Sequence, residues 1–289
     1  MKTTAFFYRT GRAGQVDVAA RVPELAPLRQ QVVVVFGLGA IGAPTALELA
    51  RAGIKTLRLV DGDFVDPATM ARWPYGFEMA GRAKVAAIEE VIRKNYPFTK
   101  VEAVPRRIGS IRNHNETEES ELELVERLCG GASLIVDATA EVGVQHFLSD
   151  TAAEFGVGYL GIDASPGAWG GRICRIRPQH TKGCWMCYRA SLLDGTIKNP
   201  PEAVEDDIQP PGCGDPTFTG AGFDLVSTAM LGVRVAVSTL CEGNGNGYPE
   251  CDWDVAIASY RDADGRLLAP QVETFRLTPH PECPKCGQR

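Results

Sequence analysis

Apolar and polar positions along the first 165 residues follow an alternating pattern of strand and helix. A buried strand is predicted where β-branched residues fill positions 32–36, and small and apolar residues at helical spacing continue from there to Gly53. Further strands are predicted at 56–63, 100–105, 132–140 and 157–165, with helices between them at 81–97, 116–130 and 144–156. Strands and helices that alternate in this way require a parallel sheet with helical crossovers. We therefore expect an α/β fold with a doubly wound, mostly parallel Rossmann-like sheet.

The pattern changes in the C-terminal part of the chain. Residues 192–216 contain five prolines and an acidic cluster without periodicity, which predicts a long crossover loop rather than a linker between domains. A buried helix is predicted over 222–240, and a hairpin that turns at Asp264 and Gly265 is predicted after it. We expect a single domain over 1–289, divided into an alternating half at 30–165 and a C-terminal lobe with the crossover loop at 166–289.

Composition excludes several classes of function. The chain of 289 residues is 44% hydrophobic, enough for a sizeable core, and its net charge of −6 argues against a nucleic-acid-binding face. The apolar run near the N-terminus is short and broken by Tyr8 and Arg9, so neither a signal peptide nor a membrane span is predicted. We expect a cytoplasmic protein without nucleic-acid or membrane partners. In a reducing compartment the nine cysteines are better explained as metal ligands, a nucleophile or buried residues than as disulfides.

A glycine-rich loop is predicted between the first strand and its helix. Gly37, Gly39 and Gly42 form G-x-G-x-x-G, a spacing that lets backbone amides and a helix N-terminus approach a phosphate. A tight turn without any ligand is the alternative. Asp61 ends the next strand nineteen residues after Gly42, where a carboxylate meets a ribose hydroxyl, and this favours nucleotide binding. The loop alone does not distinguish NAD from ATP.

Charged residues beyond the second strand favour ATP. Asp63, Arg72 and Lys84 follow Asp61 in a region that a dinucleotide would occupy with uncharged contacts. Arginine can bind phosphate oxygens in a bidentate fork and lysine can act on them as a point charge, as nucleotidyl transfer requires. A solvated cluster of salt bridges would be the better explanation for any one of these residues alone.

Two C-x-x-C pairs predict a structural zinc site. Each pair supplies two thiolates from one tight turn, and four thiolates complete a tetrahedral coordination sphere. A redox C-x-x-C motif would occur singly, at the start of a helix that follows a strand. The predicted ligands of Zn²⁺ are Cys184, Cys187, Cys283 and Cys286.

Cys213 differs from the other cysteines. It lies in "GCGDPTF", within the predicted crossover loop and shortly before the buried helix, where its thiol could be reachable and its thiolate favoured by the helix N-terminus. An inert loop cysteine is the alternative, and we favour a nucleophile. Cys174 alternates along a predicted strand, so we expect it in the core. The four histidines form no pattern that indicates a hydrolytic triad.

The order of these motifs resembles the ThiF/MoeB/E1 superfamily of adenylyltransferases, which activate ubiquitin-like proteins. The resemblance runs from about residue 30 to the C-terminus, and "GCGDPTF" is similar to the loop of E1-like enzymes in bacterial ubiquitin-like conjugation systems. It implies that the three glycines and Asp61 hold adenosine and ribose, while Arg72 and Lys84 act on the triphosphate. It also implies a cysteine nucleophile at the position of Cys213, a homodimer and a bacterial protein.

Two positions depart from the pattern of this superfamily. Thr69 stands where relatives usually have asparagine, and Ala140 stands where they usually have an aspartate that binds Mg²⁺. Either Asp137, Asp63 or Glu141 would then hold the ion from a shifted position, or adenylation would be weakened.

The resemblance implies an E1-like enzyme that uses ATP, Mg²⁺ and Zn²⁺. Its substrate would be the carboxylate of a ubiquitin-like protein that ends in glycine, which would be adenylated and then passed to Cys213 as a thioester. An E2-like carrier is a further candidate partner. Adenylation of a peptide, a sulfur-carrier protein or a tRNA base without a thioester remains an alternative, as does an inactive scaffold, which Ala140 would explain. An NAD-dependent dehydrogenase would explain the glycine loop but neither Lys84 nor the paired cysteines.

Overall fold

An eight-stranded sheet forms the centre of the computed structural model, which describes Gly11 and residues 14–109, 119–204, 207–208 and 217–287. Its strands are β1 (Val32–Phe36), β2 (Thr56–Val60), β3 (Lys100–Val104), β4 (Leu134–Asp137), β5 (Gly158–Ala164), β6 (Gly170–Ile176), β9 (Val255–Arg261) and β10 (Leu267–Phe275). Two short strands, β7 (Asp207–Ile208) and β8 (Thr217–Phe218), form a separate sheet. The helices are α1 (Gln15–Ala19), α2 (Gly42–Ala52), α3 (Lys84–Asn95), α4 (Glu121–Cys129), α5 (Val142–Glu154), α6 (Trp185–Leu193) and α7 (Gly222–Leu240).

The order of strands confirms the predicted Rossmann-like fold. Across the sheet it is β10-β9-β6-β5-β4-β1-β2-β3, and the five strands from β3 to β5 are mutually parallel. The remaining three strands, β6, β9 and β10, are antiparallel. Only residues 165–169 connect β5 to β6, and so short a connection cannot make the helical crossover that a parallel neighbour needs.

Helices cover both faces of the sheet. Val33 and Val35 of β1 point into a core shared with α2, α3 and α7, whereas Val34 and Phe36 point into a second core with α4, α5 and α6. All four side chains are buried, which explains the unbroken apolar run of the first strand. The alternation predicted over the first 165 residues thus corresponds to a doubly wound arrangement.

The long apolar helix α7 is part of the core and has the predicted bounds. It packs against β5, β6 and α2, and half of its most apolar stretch is buried. Gly232 allows this contact, because a Cβ there would lie 2.3 Å from Cδ1 of Ile162. Among the described residues α7 is the single helix long and apolar enough to cross a membrane, with a mean hydropathy of 1.4.

The crossover loop passes over the connection between β5 and β6. The Ser165 hydroxyl donates to the carbonyl of Pro201 at 2.6 Å, and the Ala203 amide donates to the carbonyl of Pro166 at 3.0 Å. Farther along, β7 pairs with β8 in antiparallel register. The hairpin of β9 and β10 turns at the predicted position, where Gly265 has a φ of +80°.

Candidate functional site

The glycine loop lies where the carboxyl ends of the parallel strands meet. A Cβ at Gly37, which has a φ of +80°, would lie 2.8 Å from the carbonyl oxygen of Ala138, and a Cβ at Gly42 would lie 1.8 Å from that of Gly37. The protein's own packing therefore requires these two glycines. A Cβ at Gly39 would meet no atom within 4 Å. The loop thus presents open space at Gly39, into which a ligand can come close to the backbone.

Backbone amides at the start of α2 can bind an anion. Ile41, at the N-cap position, provides no capping side chain. Among the residues that the structure describes, none accepts a hydrogen bond from the amides of Gly39, Ala40 or Ile41. Unpaired amides at a helix N-terminus, together with the helix dipole, favour phosphate or carboxylate oxygens.

Asp61 holds the glycine loop in place. Its Oδ2 accepts a hydrogen bond from the amide of Leu38 at 2.6 Å, and its Oδ1 accepts one from the amide of Asp63 at 2.7 Å. The residue is buried, so this contact is protected from water. Each carboxylate oxygen has a further lone pair, and the predicted contact with a ribose hydroxyl is compatible with both bonds.

Trp73 is a second residue that holds this loop in place, and no sequence motif identifies it. Its indole Nε1 donates to the carbonyl of Leu38 at 2.8 Å, and its side chain is buried in the core. Leu38 is therefore held on both sides, through its amide by Asp61 and through its carbonyl by Trp73. A lone tryptophan 35 positions away in sequence gives no local signal of this contact.

Lys84 and Asp63 meet beside the loop. Lys84 is the first residue of α3, and its Nζ lies 2.8 Å from Oδ2 of Asp63. The lysine side chain is 14% exposed, whereas the aspartate is 57% exposed and faces solvent. Arg72 lies nearby in the chain, where its Nη1 donates to the carbonyl of Phe218 at 2.6 Å and its guanidinium lies 5.5 Å from the centre of that ring. Arg72 thereby contacts β8, at the end of the crossover loop.

Asp137 is fully buried at the end of β4. Its Oδ1 accepts from the amide and the hydroxyl of Thr139, and its Oδ2 accepts from the hydroxyl of Tyr159 at 3.0 Å. Burial raises the pKa of Asp137 to about 6, although these hydrogen bonds oppose the rise. Of the three carboxylates predicted to hold Mg²⁺, Asp63 and Glu141 are exposed to solvent and Asp137 is not.

Ala140 adopts an unusual backbone conformation between these carboxylates. Its φ is +60°, in the left-handed region that aspartate, asparagine and glycine tolerate better than alanine. The backbone at this position therefore suits the aspartate that the resemblance leads one to expect there.

Arg107 and Glu141 form an ion pair at the mouth of the site, the opening between the segments that follow β1, β2, β3 and β4. Nη2 of Arg107 lies 3.1 Å from Oε1 of Glu141, and both side chains are exposed. Arg107 follows β3 and Glu141 precedes α5. No local sequence pattern identifies Arg107 as a residue of this site, because its partner lies 34 positions away in the chain.

The four predicted zinc ligands converge. All four sulfur atoms lie within 4.8 Å of one another, with 3.7 Å between Sγ of Cys184 and Cys187 and 3.6 Å between Sγ of Cys184 and Cys283. Thiolates about 2.3 Å from a tetrahedral zinc ion would lie about 3.8 Å apart. The observed distances are close to this value, so the four sulfur atoms can hold a metal ion without rearrangement. The cluster joins the start of α6 to the C-terminal residues.

Cys213 lies outside the described residues, and its predicted role remains untested. The described residues on either side of it are paired, since Ile208 lies opposite Thr217 in the β7–β8 ladder. The neighbouring Phe218 is the residue that Arg72 contacts. Cys174 is buried on β6 as expected, and burial raises the pKa of its thiol well above the usual value.

Comparison with known proteins places the chain in a family. An uncharacterised protein of Sinorhizobium fredii, y4qC, is 34% identical over 281 residues, which are 94% of this chain and 46% of the relative. The adenylyltransferase and sulfurtransferase UBA4 of Lodderomyces elongisporus is 24% identical over 98% of this chain and 55% of its own length. The chain thus spans about half the length of the curated relatives it matches.

Solved structures agree on the fold. The crystal structure of PaaA superposes with a TM-score of 0.64 at 19% identity, over 95% of this chain and 78% of PaaA. Escherichia coli MccB, crystallised with ATP, gives a TM-score of 0.63 at 17% identity, over 92% of this chain and 69% of MccB. The model of the ThiF family matches residues 13–284. The fold, the glycine loop and this match together show that the chain belongs to the ThiF family.

Proposed function

We propose that the chain is the adenylating unit of an E1-like enzyme, which uses ATP to activate the C-terminal carboxylate of a small ubiquitin-like protein. The observation that carries the proposal is the series of contacts that runs from the open glycine loop through Asp61 and Asp63 to Lys84, whose side chain is 14% exposed. A dinucleotide would need no such cation, whereas a triphosphate does. Membership of the ThiF family and the likeness of the fold to MccB, which has been crystallised with ATP, support the same conclusion.

The nucleotide would lie across the ends of β1 and β2. Its phosphates would contact the unpaired amides at the start of α2, and its ribose would donate to Asp61. Lys84 and Arg72 would balance the charge of the triphosphate. Mg²⁺ would neutralise phosphate charge and orient the leaving group, with the exposed Asp63 and Glu141 as candidate ligands.

The reaction would then be an in-line displacement at the α-phosphorus. A carboxylate oxygen of the partner forms a bond to phosphorus, and the bond to the pyrophosphate oxygen breaks with its electron pair on pyrophosphate. The lysine and arginine stabilise charge that moves onto the leaving group, and rigid placement of both reactants supplies much of the rate. The product is an acyl adenylate.

A thioester step on Cys213 would follow. The thiolate attacks the acyl carbon, the bond to AMP breaks and the acyl group remains on sulfur. Thr217 lies four residues after Cys213, a chain length whose Cα atoms can be at most about 14 Å apart, and Arg72 is bonded to the neighbouring Phe218 of β8. The linkage between Arg72 and β8 therefore supports a nucleophile that can reach the adenylate.

A second candidate is adenylation of a different carboxylate without a thioester. UBA4 is an adenylyltransferase and sulfurtransferase, and MccB has been crystallised with MccA. A peptide or a sulfur-carrier protein is therefore an alternative substrate, and a tRNA base remains a third. An inactive scaffold is a further alternative, because Ala140 stands where relatives usually have an aspartate that binds Mg²⁺. We expect a homodimer and a cytoplasmic location for any of these.

We propose that the four clustered cysteines bind one structural Zn²⁺. The distances between their sulfur atoms fit tetrahedral coordination, and the ion would tie the C-terminal residues to α6, which leads into the crossover loop. Its role would be to fix the frame of the site rather than to take part in the reaction.

Ligand-dependent thermal stability tests the nucleotide assignment. We expect ATP with Mg²⁺ to raise the melting temperature and NAD⁺ to leave it unchanged. Lys84→Ala should remove the ATP effect, whereas Lys94→Ala should retain it, because Lys94 pairs with Glu90 on the exposed side of α3. Stabilisation by NAD⁺ and not by ATP would show that the proposed function is wrong.

A further inference from the structure

A closed ring of contacts joins the loops that follow β1, β2, β3 and β4 at the proposed nucleotide site. Asp61 binds the amide of Leu38, which links the ends of β2 and β1. A Cβ at Gly37 would lie 2.8 Å from the carbonyl oxygen of Ala138, so the ends of β1 and β4 touch. A Cβ at Gly62 would lie 2.7 Å from the amide nitrogen of Arg107, so the ends of β2 and β3 touch as well. The ion pair of Arg107 with Glu141 closes the ring.

This last link covers a long distance. The strands β3 and β4 are separated by β2 and β1, so their axes lie about 14 Å apart at the usual strand spacing. The side chains of Arg107 and Glu141 nevertheless meet at 3.1 Å. The segment after β3 makes this possible, because a Cβ at Gly109 would lie 2.9 Å from Cγ2 of Val144 in the first turn of α5. The pair therefore crosses the ends of β2 and β1, where the nucleotide would enter.

Arg107 lies on the nucleoside side of the site. Its backbone packs against Gly62, which stands between Asp61 and Asp63. In nucleotide-binding folds of this type the acidic residue that ends the second strand meets the ribose, while the glycine loop meets the phosphates. Because the backbone of Arg107 lies beside Gly62, its side chain can reach a purine whose ribose is held by Asp61, and the planar guanidinium suits stacking on that base.

We propose that Arg107 is a nucleoside-binding residue and that Glu141 competes with the nucleotide for it, an inference that rests on the proposed function. Without nucleotide the two side chains pair across the mouth. When ATP binds, the guanidinium moves from the carboxylate to the face of the adenine, and Glu141 is released. Because both side chains are exposed, their ion pair adds little to the stability of the fold and can be exchanged for a ligand contact.

The two variants Arg107→Gln and Glu141→Gln test the proposal because they should act in opposite directions. Dissociation constants for AMP and ATP are measured by calorimetry without Mg²⁺, so that a role of Glu141 as a metal ligand does not contribute. Arg107→Gln should weaken binding of both nucleotides by about fivefold, in the same ratio, because it removes a contact with the base and not with the phosphates. Glu141→Gln should tighten both by about two- to threefold, because it removes the competing carboxylate.

Control variants separate this role from a structural one. Arg106→Gln changes the neighbouring arginine, which donates to the carbonyl of Glu119, and should leave both dissociation constants unchanged. Arg107→Lys should weaken binding almost as much as Arg107→Gln, because lysine keeps the charge but cannot stack. If Glu141→Gln weakens nucleotide binding, or Arg107→Gln leaves AMP binding unchanged, the inference is wrong while ATP binding by the wild-type protein upholds the proposed function. Wild-type protein that binds neither nucleotide would overturn both.

Discussion

The buried carboxyl of Asp137 makes the stability of the protein depend on pH in a predictable direction. Its pKa in the folded chain is raised from the usual 3.8 to about 6 by burial. Between these two values the folded state holds a proton that the unfolded chain has released, so the free energy of unfolding falls as the pH rises. The group's contribution is fully present below about pH 3.8 and is lost as the pH passes 6.

The substitution Asp137→Asn removes this titration. The rise in the pKa of Asp137 sets the expected change in the free energy of unfolding. A rise from 3.8 to about 6 corresponds to about 3 kcal/mol at about 1.36 kcal/mol per pKa unit. Asparagine cannot titrate and can still accept from the amide of Thr139, while the hydroxyl of Tyr159 must turn to accept instead of donating. The stability of the wild type relative to the variant should therefore fall by about 2 kcal/mol between pH 4.5 and 7.5, since part of the effect lies below pH 4.5.

Urea unfolding followed by tryptophan fluorescence measures this difference at each pH. Asp264→Asn serves as the control, because Asp264 is an exposed residue of the hairpin turn and its loss should leave the pH dependence as in the wild type. If the difference between wild type and Asp137→Asn stays constant or grows with pH, Asp137 is charged in the folded protein. The reasoning from burial would then be refuted.

Three further predictions concern the metal, the loop and the nucleophile. Purified protein should contain one zinc ion per chain, and Cys283→Ser combined with Cys286→Ser should abolish it in elemental analysis, whereas zinc retained by that variant would place the ion elsewhere. Trp73→Phe should cost about 1–3 kcal/mol of stability and weaken ATP binding, because the buried carbonyl of Leu38 loses its donor; unchanged urea midpoints would contradict this. With a ubiquitin-like partner and ATP, Cys213 should form a covalent adduct that thiols cleave. Cys213→Ala should abolish the adduct, whereas Cys174→Ala should not, because Cys174 is buried. An undiminished adduct in Cys213→Ala would show that another residue is the nucleophile.

Local patterns were enough to predict the elements that depend on neighbours in sequence. The helix over 222–240 and the hairpin turn at Gly265 were both placed correctly, because one has a continuous apolar pattern and the other a residue that tolerates positive φ. The two C-x-x-C pairs also met as predicted, since each pair needs only a tight turn. The antiparallel β6 was not anticipated, although the short connection before it carries the signal.

Contacts between distant residues could not be read from local patterns. Asp137 was selected as a possible Mg²⁺ ligand because Ala140 stands where the resemblance leads one to expect an aspartate, but the structure buries its carboxylate, which accepts a hydrogen bond from Tyr159 of the neighbouring strand. Trp73 supports the glycine loop and Arg107 crosses the mouth of the site. Each does so through a contact with a residue more than 30 positions away in the chain. Such contacts follow from the order of strands in the sheet, which sequence periodicity does not encode.

Exchange of labelled pyrophosphate into ATP measures directly whether this site activates a carboxylate with ATP. The assay uses a small ubiquitin-like protein that ends in glycine, together with the same protein lacking its terminal glycine. We predict exchange only with the intact partner, its loss in Lys84→Ala, and its persistence in Cys213→Ala, since adenylation precedes the attack of the thiol. Wild-type protein that binds ATP but catalyses no exchange with the intact partner would show that the site does not adenylate the carboxylate of a ubiquitin-like protein.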